Sequence, residues 1–181
     1  RCCSSAASDV YKRQDEYCNE VGKIRMGDPR DFSNFMSAVI DRKSFDNIVG
    51  YIDRAKEDPG CEIVTGGNYD DKTGYFIEPT TIVCKDSRYE TMSEEIFGPV
   101  LSIHIYPDDD FDRILEVCDT TSEYALTGSI FATDRRNIEK AISALRDSAG
   151  NFYINDKPTG AVVGQQPFGG ARGSGCLVYT S

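Results

Sequence analysis

The sequence has little of what membrane-spanning and exported proteins require. No stretch approaches the run of about 18 apolar residues that a membrane span needs. One basic residue stands in the segment from Arg1 to Ser5, but no apolar segment follows it, so no secretory signal is recognisable. We therefore expect no membrane as a partner. Met is also missing from position 1, so we expect the chain to be part of a longer one.

Positive charge is scarce relative to negative charge. The chain has 20 Lys and Arg residues against 30 Asp and Glu residues, a formal net charge of -10. Such a chain repels phosphate backbones, which argues against nucleic acid as a partner. The densest acidic run, Asp108 to Asp110, is interpreted as a solvated turn after Pro107. Metal binding is the weaker alternative, because three consecutive carboxylates cannot all face one ion.

The seven cysteines include no Cys-x-x-Cys pair, and the five interior ones are far apart: Cys18, Cys61, Cys84, Cys118 and Cys176. This spacing is typical neither of a zinc site nor of a disulfide framework, so we predict no metal site and a reducing compartment. Cys84 and Cys118 follow apolar residues and are expected to be buried. The single histidine, His104, is expected to be a strand residue rather than a catalyst.

Both ends of the sequence look foreign to the rest. The segment from Asp9 to Gln14 can be encoded by GAT GTG TAT AAG AGA CAG, which resembles a transposon adapter used in sequencing libraries. The tail from Cys176 to Ser181 resembles the opposite strand of that adapter in another frame. We predict that residues 1–14 and 176–181 are foreign and that residues 15–175 form the domain. The alternative is that both ends are genuine.

Between these ends, helical and extended patterns alternate. Apolar residues recur every three or four positions in the helical segments, and Asp58-Pro59-Gly60 ends one of them. Helices are predicted at 15–23 (the end of one), 42–57, 111–118 and about 138–145, and strands at 61–65, 75–83, 100–106, 126–132 and 151–155. This alternation predicts an α/β fold with a mainly parallel sheet flanked by helices.

The first motif with chemical meaning is Glu94-Glu95-Ile96-Phe97-Gly98-Pro99-Val100. Gly98-Pro99 predicts a sharp bend that orients the side chains just before it. A carboxylate there can accept hydrogen bonds from sugar hydroxyls, and an aromatic side chain can lie beside a flat ring. Composition alone favours a plainer interpretation, a solvated helix end with one core Phe.

The second motif runs from Thr159 to Arg172 and contains four glycines and Pro167. It lacks Gly-Lys-Ser/Thr, so it is not a phosphate loop. Gly160 and Ala161 can present consecutive backbone N–H groups to a carboxylate, as anion-binding nests do. Taken alone, an ordinary surface loop is again the favoured interpretation.

In order along the chain, three features resemble the signature of the aldehyde dehydrogenase superfamily. They are Glu-Glu-Ile-Phe-Gly-Pro-Val, a strand that carries Asn155, and the Pro-Phe-Gly-Gly that begins at Pro167. The turn at Gly27-Asp28-Pro29 also matches. Three segments resemble the 1-pyrroline-5-carboxylate (glutamate-semialdehyde) dehydrogenase branch in particular: 37–41, 150–157 and 164–172. The resemblance covers about Asp15 to Gly175 and implies the C-terminal part of a catalytic domain.

The resemblance implies roles for five residues. Glu95 would bind the nicotinamide-ribose hydroxyls of NAD, and Phe97 would pack near the nicotinamide. Backbone amides of Gly160 and Ala161 would hold the substrate carboxylate, and Phe168 would form a wall of the aldehyde pocket. In the family mechanism a cysteine attacks the aldehyde, hydride passes to NAD, and water hydrolyses the thioester.

For the whole protein, the resemblance implies oxidation of L-glutamate 5-semialdehyde to L-glutamate in proline catabolism. It implies a homo-oligomer in the mitochondrial matrix of a eukaryote or the cytoplasm of a bacterium. The family nucleophile lies in a Gly-Gln-x-Cys context, which Cys2 and Cys3 do not match. We therefore expect the nucleophile and the general-base Glu to lie upstream of this sequence. We also expect the 181-residue chain to be inactive by itself.

Two other interpretations remain open. Another aldehyde dehydrogenase subfamily would share the superfamily signature, although a loop that binds a carboxylate argues against simple aliphatic aldehydes. A non-catalytic binding or scaffold protein on the same fold would also fit a chain without the nucleophile.

Overall fold

The structure, a computed structural model, describes residues 7–159 and 161–175. Two units are distinguished among the described residues. One runs from Tyr11 to Ile105, and the other contains residues 7–10, 106–159 and 161–175. Several positions singled out above lie outside the described residues, namely Cys2, Cys3, Gly160 and the tail from Cys176. The foreign origin of residues 1–14 and 176–181 stays a prediction.

The central element of the first unit is helix α2 (Arg42–Glu57). It begins at Asp41, whose side chain accepts a hydrogen bond from the backbone N–H of Ser44 at 2.7 Å and so satisfies one of the unpaired amides of the first turn. It ends before Asp58-Pro59, because proline cannot continue a helix. Its apolar face buries Phe45, Ile48, Ile52 and Ala55.

The first unit has mixed sheets. Its elements in chain order are α1 (Ala7–Val21, which starts in the other unit), α2, β1 (Cys61–Thr65), β2 (Tyr69–Asp70), β3 (Phe76–Ile77), β4 (Thr80–Cys84), α3 (Glu90–Ser93) and β5 (Val100–Ile103). Strand β4 lies between β1, its antiparallel neighbour, and β5, its parallel neighbour. Strands β2 and β3 form a separate antiparallel pair.

The core of this unit lies between α2 and the strands. Ile48 and Ile52 are completely buried and pack with Phe45 and Ile77. A neighbouring cluster contains Ile82 of β4, which is completely buried as well. Burying one such side chain contributes about 1.5–3 kcal/mol. Helix α2 is therefore the element against which the sheet and its connecting loops are positioned.

The second unit contains a strand–helix–strand motif. Its elements are a 3₁₀ turn (Asp108–Asp110), α4 (Phe111–Thr120), β6 (Tyr124–Ala125), β7 (Thr127–Ile130), α5 (Arg135–Ala144), β8 (Asn151–Ile154) and β9 (Ala171–Arg172). Strands β7 and β8 are parallel and are connected through α5, whereas β6 and β9 are antiparallel. The core consists of Leu115, Ile130, Ala141 and Leu145.

The predicted α/β class is confirmed, and the predicted helix 42–57 and strand 61–65 match α2 and β1. The strand pairing differs from the expected mainly parallel arrangement. Only β4–β5 and β7–β8 are parallel among the described strands, and the other three pairs are antiparallel. Short connections explain part of this, because the loop between β2 and β3 is too short for the crossover that parallel strands need.

Cys84 is buried, as predicted, whereas Cys118 is half-buried at the edge of its core cluster. His104 directly follows β5, and its Nδ1 lies 3.0 Å from the backbone oxygen of Cys84. Among the described residues, no helix is both long and apolar enough to cross a membrane.

Candidate functional site: an exposed Glu-Phe loop and a clamped glycine-rich loop

The Glu-Phe loop, defined here as residues 94–99, connects α3 to β5 in the first unit. Its beginning is held through α3, because Arg54 of α2 donates two hydrogen bonds to the Glu90 carboxylate at 2.7 and 3.0 Å. The Arg54 guanidinium also lies 4.6 Å from the centre of the Tyr51 ring. The hydrogen bond to Glu90 is the main reason that the pKa of Arg54 is raised above its ordinary value. A paired, always-charged side chain thus anchors the short helix from which the loop departs.

The end of the Glu-Phe loop is held by close packing and backbone hydrogen bonds. A Cβ added to Gly98 would lie 2.5 Å from Cδ1 of the buried Ile48, so only glycine fits without displacing that side chain. The N–H of Thr80 donates to the Pro99 oxygen at 2.8 Å, which ties the bend to the start of β4. The glycine therefore serves close approach to α2, and this reason could not be read from the sequence.

Between these anchors, the loop exposes its two predicted cofactor residues. Ile96 packs inward against the α2 core, which leaves its neighbours outside. The carboxylate of Glu95 is exposed and accepts no hydrogen bond from the described residues. Phe97 is 86% exposed, and its φ of 57° lies in the left-handed region that bulky residues rarely adopt. Within this chain, neither burial nor a favourable local conformation accounts for the position of the ring.

The glycine-rich loop, defined here as residues 155–170, follows β8 in the second unit. Asn155 has a φ of 53°, and its side chain forms two hydrogen bonds with the backbone of Ala132, at 2.9 Å to the N–H and 3.0 Å to the oxygen. The hydroxyl of the buried Ser129 donates to the Asp156 oxygen. The loop begins at the carboxyl end of β8, which is parallel to β7. Ligands commonly bind at the carboxyl ends of parallel strands in α/β folds.

The later part of this loop is clamped to β8 by Asn151. The Asn151 side chain donates to the Pro167 oxygen at 3.0 Å and accepts from the Gly169 N–H at 3.1 Å, so one amide holds the backbone on both sides of Phe168. Gly150 makes this approach possible, because a Cβ there would lie only 1.8 Å from the Gly169 oxygen. Phe168 is 54% exposed on a loop that is closely held at its base.

Strand β9 fixes the point at which the loop ends. Arg172 donates to both the side chain and the backbone oxygen of Asp119 at the end of α4. The same carboxylate accepts a hydrogen bond from Ser148. A residue with a Cβ at Gly170 would meet the Ser174 oxygen at 2.1 Å. The Pro-Phe-Gly-Gly segment is therefore restrained on both sides by polar contacts within its unit.

The structure thus places Glu95 and Phe97 on one loop, and Ala161 and Phe168 on another. Ala161 is half-buried, and Gly160 lies outside the described residues. Sequence reasoning did not assign roles to the residues that position these loops, which are Arg54, Glu90, Asn151 and Asp119. No group of three metal-ligating side chains that could hold an ion is found in residues 7–159 and 161–175.

Comparison with known proteins identifies the family. The chain belongs to the aldehyde dehydrogenase family, whose sequence profile matches residues 6–178. The resemblance to this family inferred from the two motifs is therefore confirmed.

Within that family, the chain is similar to delta-1-pyrroline-5-carboxylate dehydrogenases. It is 57% identical to the mitochondrial enzyme of Dictyostelium discoideum over an alignment of 178 positions, which covers 94% of this chain and 32% of that protein. It is 51% identical to the mitochondrial enzyme of Homo sapiens, covering 86% of this chain and 28% of that protein.

A solved structure gives the same result. The delta-pyrroline-5-carboxylate dehydrogenase of Mycobacterium tuberculosis matches with a TM-score of 0.85 and 48% identity, over 93% of this chain and 31% of that chain. A second structure of that enzyme, bound with NAD, matches with a TM-score of 0.81 and 48% identity, covering 92% of this chain and 30% of that one. The chain spans about a third of the length of the curated relatives it matches.

Proposed function

We propose that this sequence is part of an NAD-dependent dehydrogenase that oxidises L-glutamate 5-semialdehyde, the open form of 1-pyrroline-5-carboxylate, to L-glutamate in proline degradation. The observation that carries the proposal is the Glu-Phe loop. In this loop, a carboxylate that accepts no hydrogen bond from the described residues lies two positions before a strained, exposed ring. Similarity to enzymes with this activity along 94% of the chain supports the choice of substrate.

The residues of the Glu-Phe loop suit the nicotinamide half of NAD. The Glu95 carboxylate can accept hydrogen bonds from both ribose hydroxyls, since no described residue occupies it. The Phe97 ring can cover one face of a flat heterocycle and exclude water from it. When bound, NAD supplies the hydride acceptor, and the protein supplies orientation. The Arg54–Glu90 pair and Gly98 would keep the loop in place during this step.

The glycine-rich loop suits a small aldehyde that carries a carboxylate. Backbone N–H groups of Gly160 and Ala161 would donate to that carboxylate, and the Phe168 ring would lie against the aliphatic part of the substrate. The Asn151 clamp supports this assignment, because it orders the backbone on both sides of Phe168. A held loop loses less entropy on binding than a mobile one.

By family resemblance, the nucleophile is a cysteine in a Gly-Gln-x-Cys context and the base is a glutamate, and the sequence contains no Gly-Gln-x-Cys. We therefore propose that the 181-residue chain alone does not oxidise aldehydes. By the same resemblance, the whole enzyme is a homo-oligomer. It would reside in the mitochondrial matrix if eukaryotic, as the names of the Dictyostelium and human relatives state for those proteins. In a bacterium it would reside in the cytoplasm.

A chimera tests the proposed function. In it, this sequence replaces the matching segment of the Dictyostelium relative, and the product is called the chimera below. We expect the chimera to reduce NAD with glutamate semialdehyde, and to prefer this substrate over a neutral aldehyde of similar length. Purified 181-residue chain should produce no more NADH than a blank without enzyme.

The chimera also separates the remaining alternatives. A folded chimera that prefers neutral aldehydes would indicate another aldehyde dehydrogenase subfamily. A folded chimera that is inactive with every aldehyde would favour a binding or scaffold role for this sequence. NADH production by the 181-residue chain would contradict the proposed need for a nucleophile elsewhere.

A further inference from the structure

Two cysteines face each other in the sheet of the first unit. Cys61 of β1 is the direct antiparallel partner of Cys84 of β4. The next pair in the ladder, Gly60 and Lys85, is joined by a hydrogen bond of 2.9 Å from the Lys85 N–H to the Gly60 oxygen. Since bonded and non-bonded pairs alternate along an antiparallel ladder, Cys61 and Cys84 form a non-hydrogen-bonded pair. Opposing side chains come closest together at such pairs.

The two sulfur atoms are already near each other. The Sγ atoms of Cys61 and Cys84 are 3.9 Å apart. A disulfide needs an S–S separation of about 2.05 Å and Cα atoms about 4.4–6.8 Å apart, and a non-hydrogen-bonded pair has Cα atoms about 4.5 Å apart. Small rotations of the two side chains therefore suffice to form the bond, and neither strand has to slide.

The two thiols differ in access. Cys61 is half-buried, whereas Cys84 is only 1% exposed and contacts the Thr91 hydroxyl at 3.8 Å. Burial raises the pKa of the Cys84 thiol to about 12, so this group is protonated near neutral pH. A dissolved oxidant would therefore reach Cys61 first, and Cys84 lies directly behind it. Because Cys84 is protonated, its reaction with the oxidised Cys61 is the slower step.

We propose that Cys61 and Cys84 form a reversible disulfide when the protein meets a hydroperoxide. The Cys61 sulfur first attacks the peroxide, whose O–O bond breaks, which gives a sulfenic acid and water. The Cys84 sulfur then displaces the hydroxyl from the Cys61 sulfur, and the thiol proton leaves with it as a second water. The two thiols lose two electrons in total, and hydrogen peroxide is reduced to two water molecules. This inference is independent of the proposed dehydrogenase activity.

Peptide mapping tests the proposal directly. The 181-residue chain and the chimera would each be treated with a small excess of hydrogen peroxide, denatured in the presence of an alkylating reagent, digested and analysed by mass spectrometry. We expect a Cys61–Cys84 linked peptide as the main disulfide product in at least the chimera. Dithiothreitol should convert it back to two thiols. The same treatment in 6 M guanidinium should give mixed pairings among the cysteines, because the strand register that brings the two sulfurs together is then lost.

Substitutions provide matched controls. Cys61→Ser and Cys84→Ser should each abolish the linked peptide, and in Cys84→Ser a sulfenic-acid probe should accumulate on Cys61. Cys118→Ser removes a half-buried thiol of the other unit and should leave the yield unchanged. The proposal is overturned if neither protein yields the linked peptide, or if the native and denatured samples give the same pairings.

Discussion

Gly150 offers the sharpest test of how the glycine-rich loop is held. We predict that Gly150→Ala in the chimera displaces the segment around Phe168. The new Cβ would lie 1.8 Å from the Gly169 oxygen and 2.6 Å from Gly170 Cα, and real Cβ atoms essentially never come closer than 3.0 Å to such atoms. The backbone must therefore move, because neither contact is with a flexible side chain.

The size of the effect follows from this geometry. Relief of the collision needs a displacement of about 1.2 Å, and misplacing a catalytic element by about 1 Å can cost about 100-fold in rate. The 3.1 Å hydrogen bond from Gly169 to Asn151 would be stretched at the same time. We expect kcat/KM for glutamate semialdehyde to fall about 100-fold, and overpacking to lower the free energy of unfolding by about 1–3 kcal/mol.

A matched substitution at Gly169, on the other side of the same contact, gives the control. A Cβ added to Gly169 meets nothing within 4 Å, so Gly169→Ala should change the free energy of unfolding by no more than about 0.5 kcal/mol. Urea unfolding of both variants and steady-state kinetics of Gly150→Ala provide the measurements. Equal unfolding curves for the two variants, with unchanged kinetics for Gly150→Ala, would refute the reasoning about the clamp.

Three further predictions concern the same two loops in the chimera. Glu95→Gln should lower activity about tenfold or more through weaker use of NAD, because hydrogen bonds to a charged group contribute about 1.5–3 kcal/mol each. Unchanged NAD kinetics in a folded variant would exclude binding of the ribose hydroxyls by Glu95. Ala161→Asp should lower kcat/KM for glutamate semialdehyde much more than for a neutral aldehyde. The reason is that two like charges a few ångströms apart repel each other by on the order of several kcal/mol at an intermediate dielectric. An equal fall for both aldehydes would mean that Gly160-Ala161 has only a structural role. Arg54→Gln should raise the KM for NAD by up to about fivefold with little change in kcat, because an exposed ion pair contributes at most about 1 kcal/mol. The charge-swapped double variant, Arg54→Glu with Glu90→Arg, should recover most of the loss. A fall in kcat alone would argue against a positioning role for Arg54.

Local patterns predicted some elements closely. Helix α2 has a capping Asp41, apolar residues on one face and a Pro59-Gly60 stop, and these local signals set its observed bounds. Strand β5 was predicted to reach Tyr106 but ends at Ile103, which pairs with Val83 of β4. Beyond that point the His104 ring contacts the Cys84 oxygen, in place of a further backbone pair.

For the candidate site too, short sequence motifs could be recognised, whereas contacts between residues distant in the sequence could not be predicted. Resemblance to a family singled out Glu95, Phe97 and Phe168, because their short motifs are distinctive. The clamp made by Asn151 was missed, since it joins positions 16 and 18 residues apart and nothing in the intervening sequence signals the contact. Antiparallel pairing of β1 with β4 was missed for a similar reason, because pairing between distant strands depends on the packing of the whole unit.

The left-handed backbone of Phe97 has a consequence for how this position can evolve. A left-handed conformation costs an L-residue about 1–2 kcal/mol, whereas glycine adopts it freely and loses about 0.5–1 kcal/mol in chain entropy. Stability alone therefore tolerates or mildly favours glycine here, and the exposed ring gains nothing from burial. Drift under selection for folding alone would lead away from phenylalanine, and only selection for what the ring contacts would retain it. Position 97 is thus one where stabilising a protein of this kind and preserving its chemistry would call for different residues.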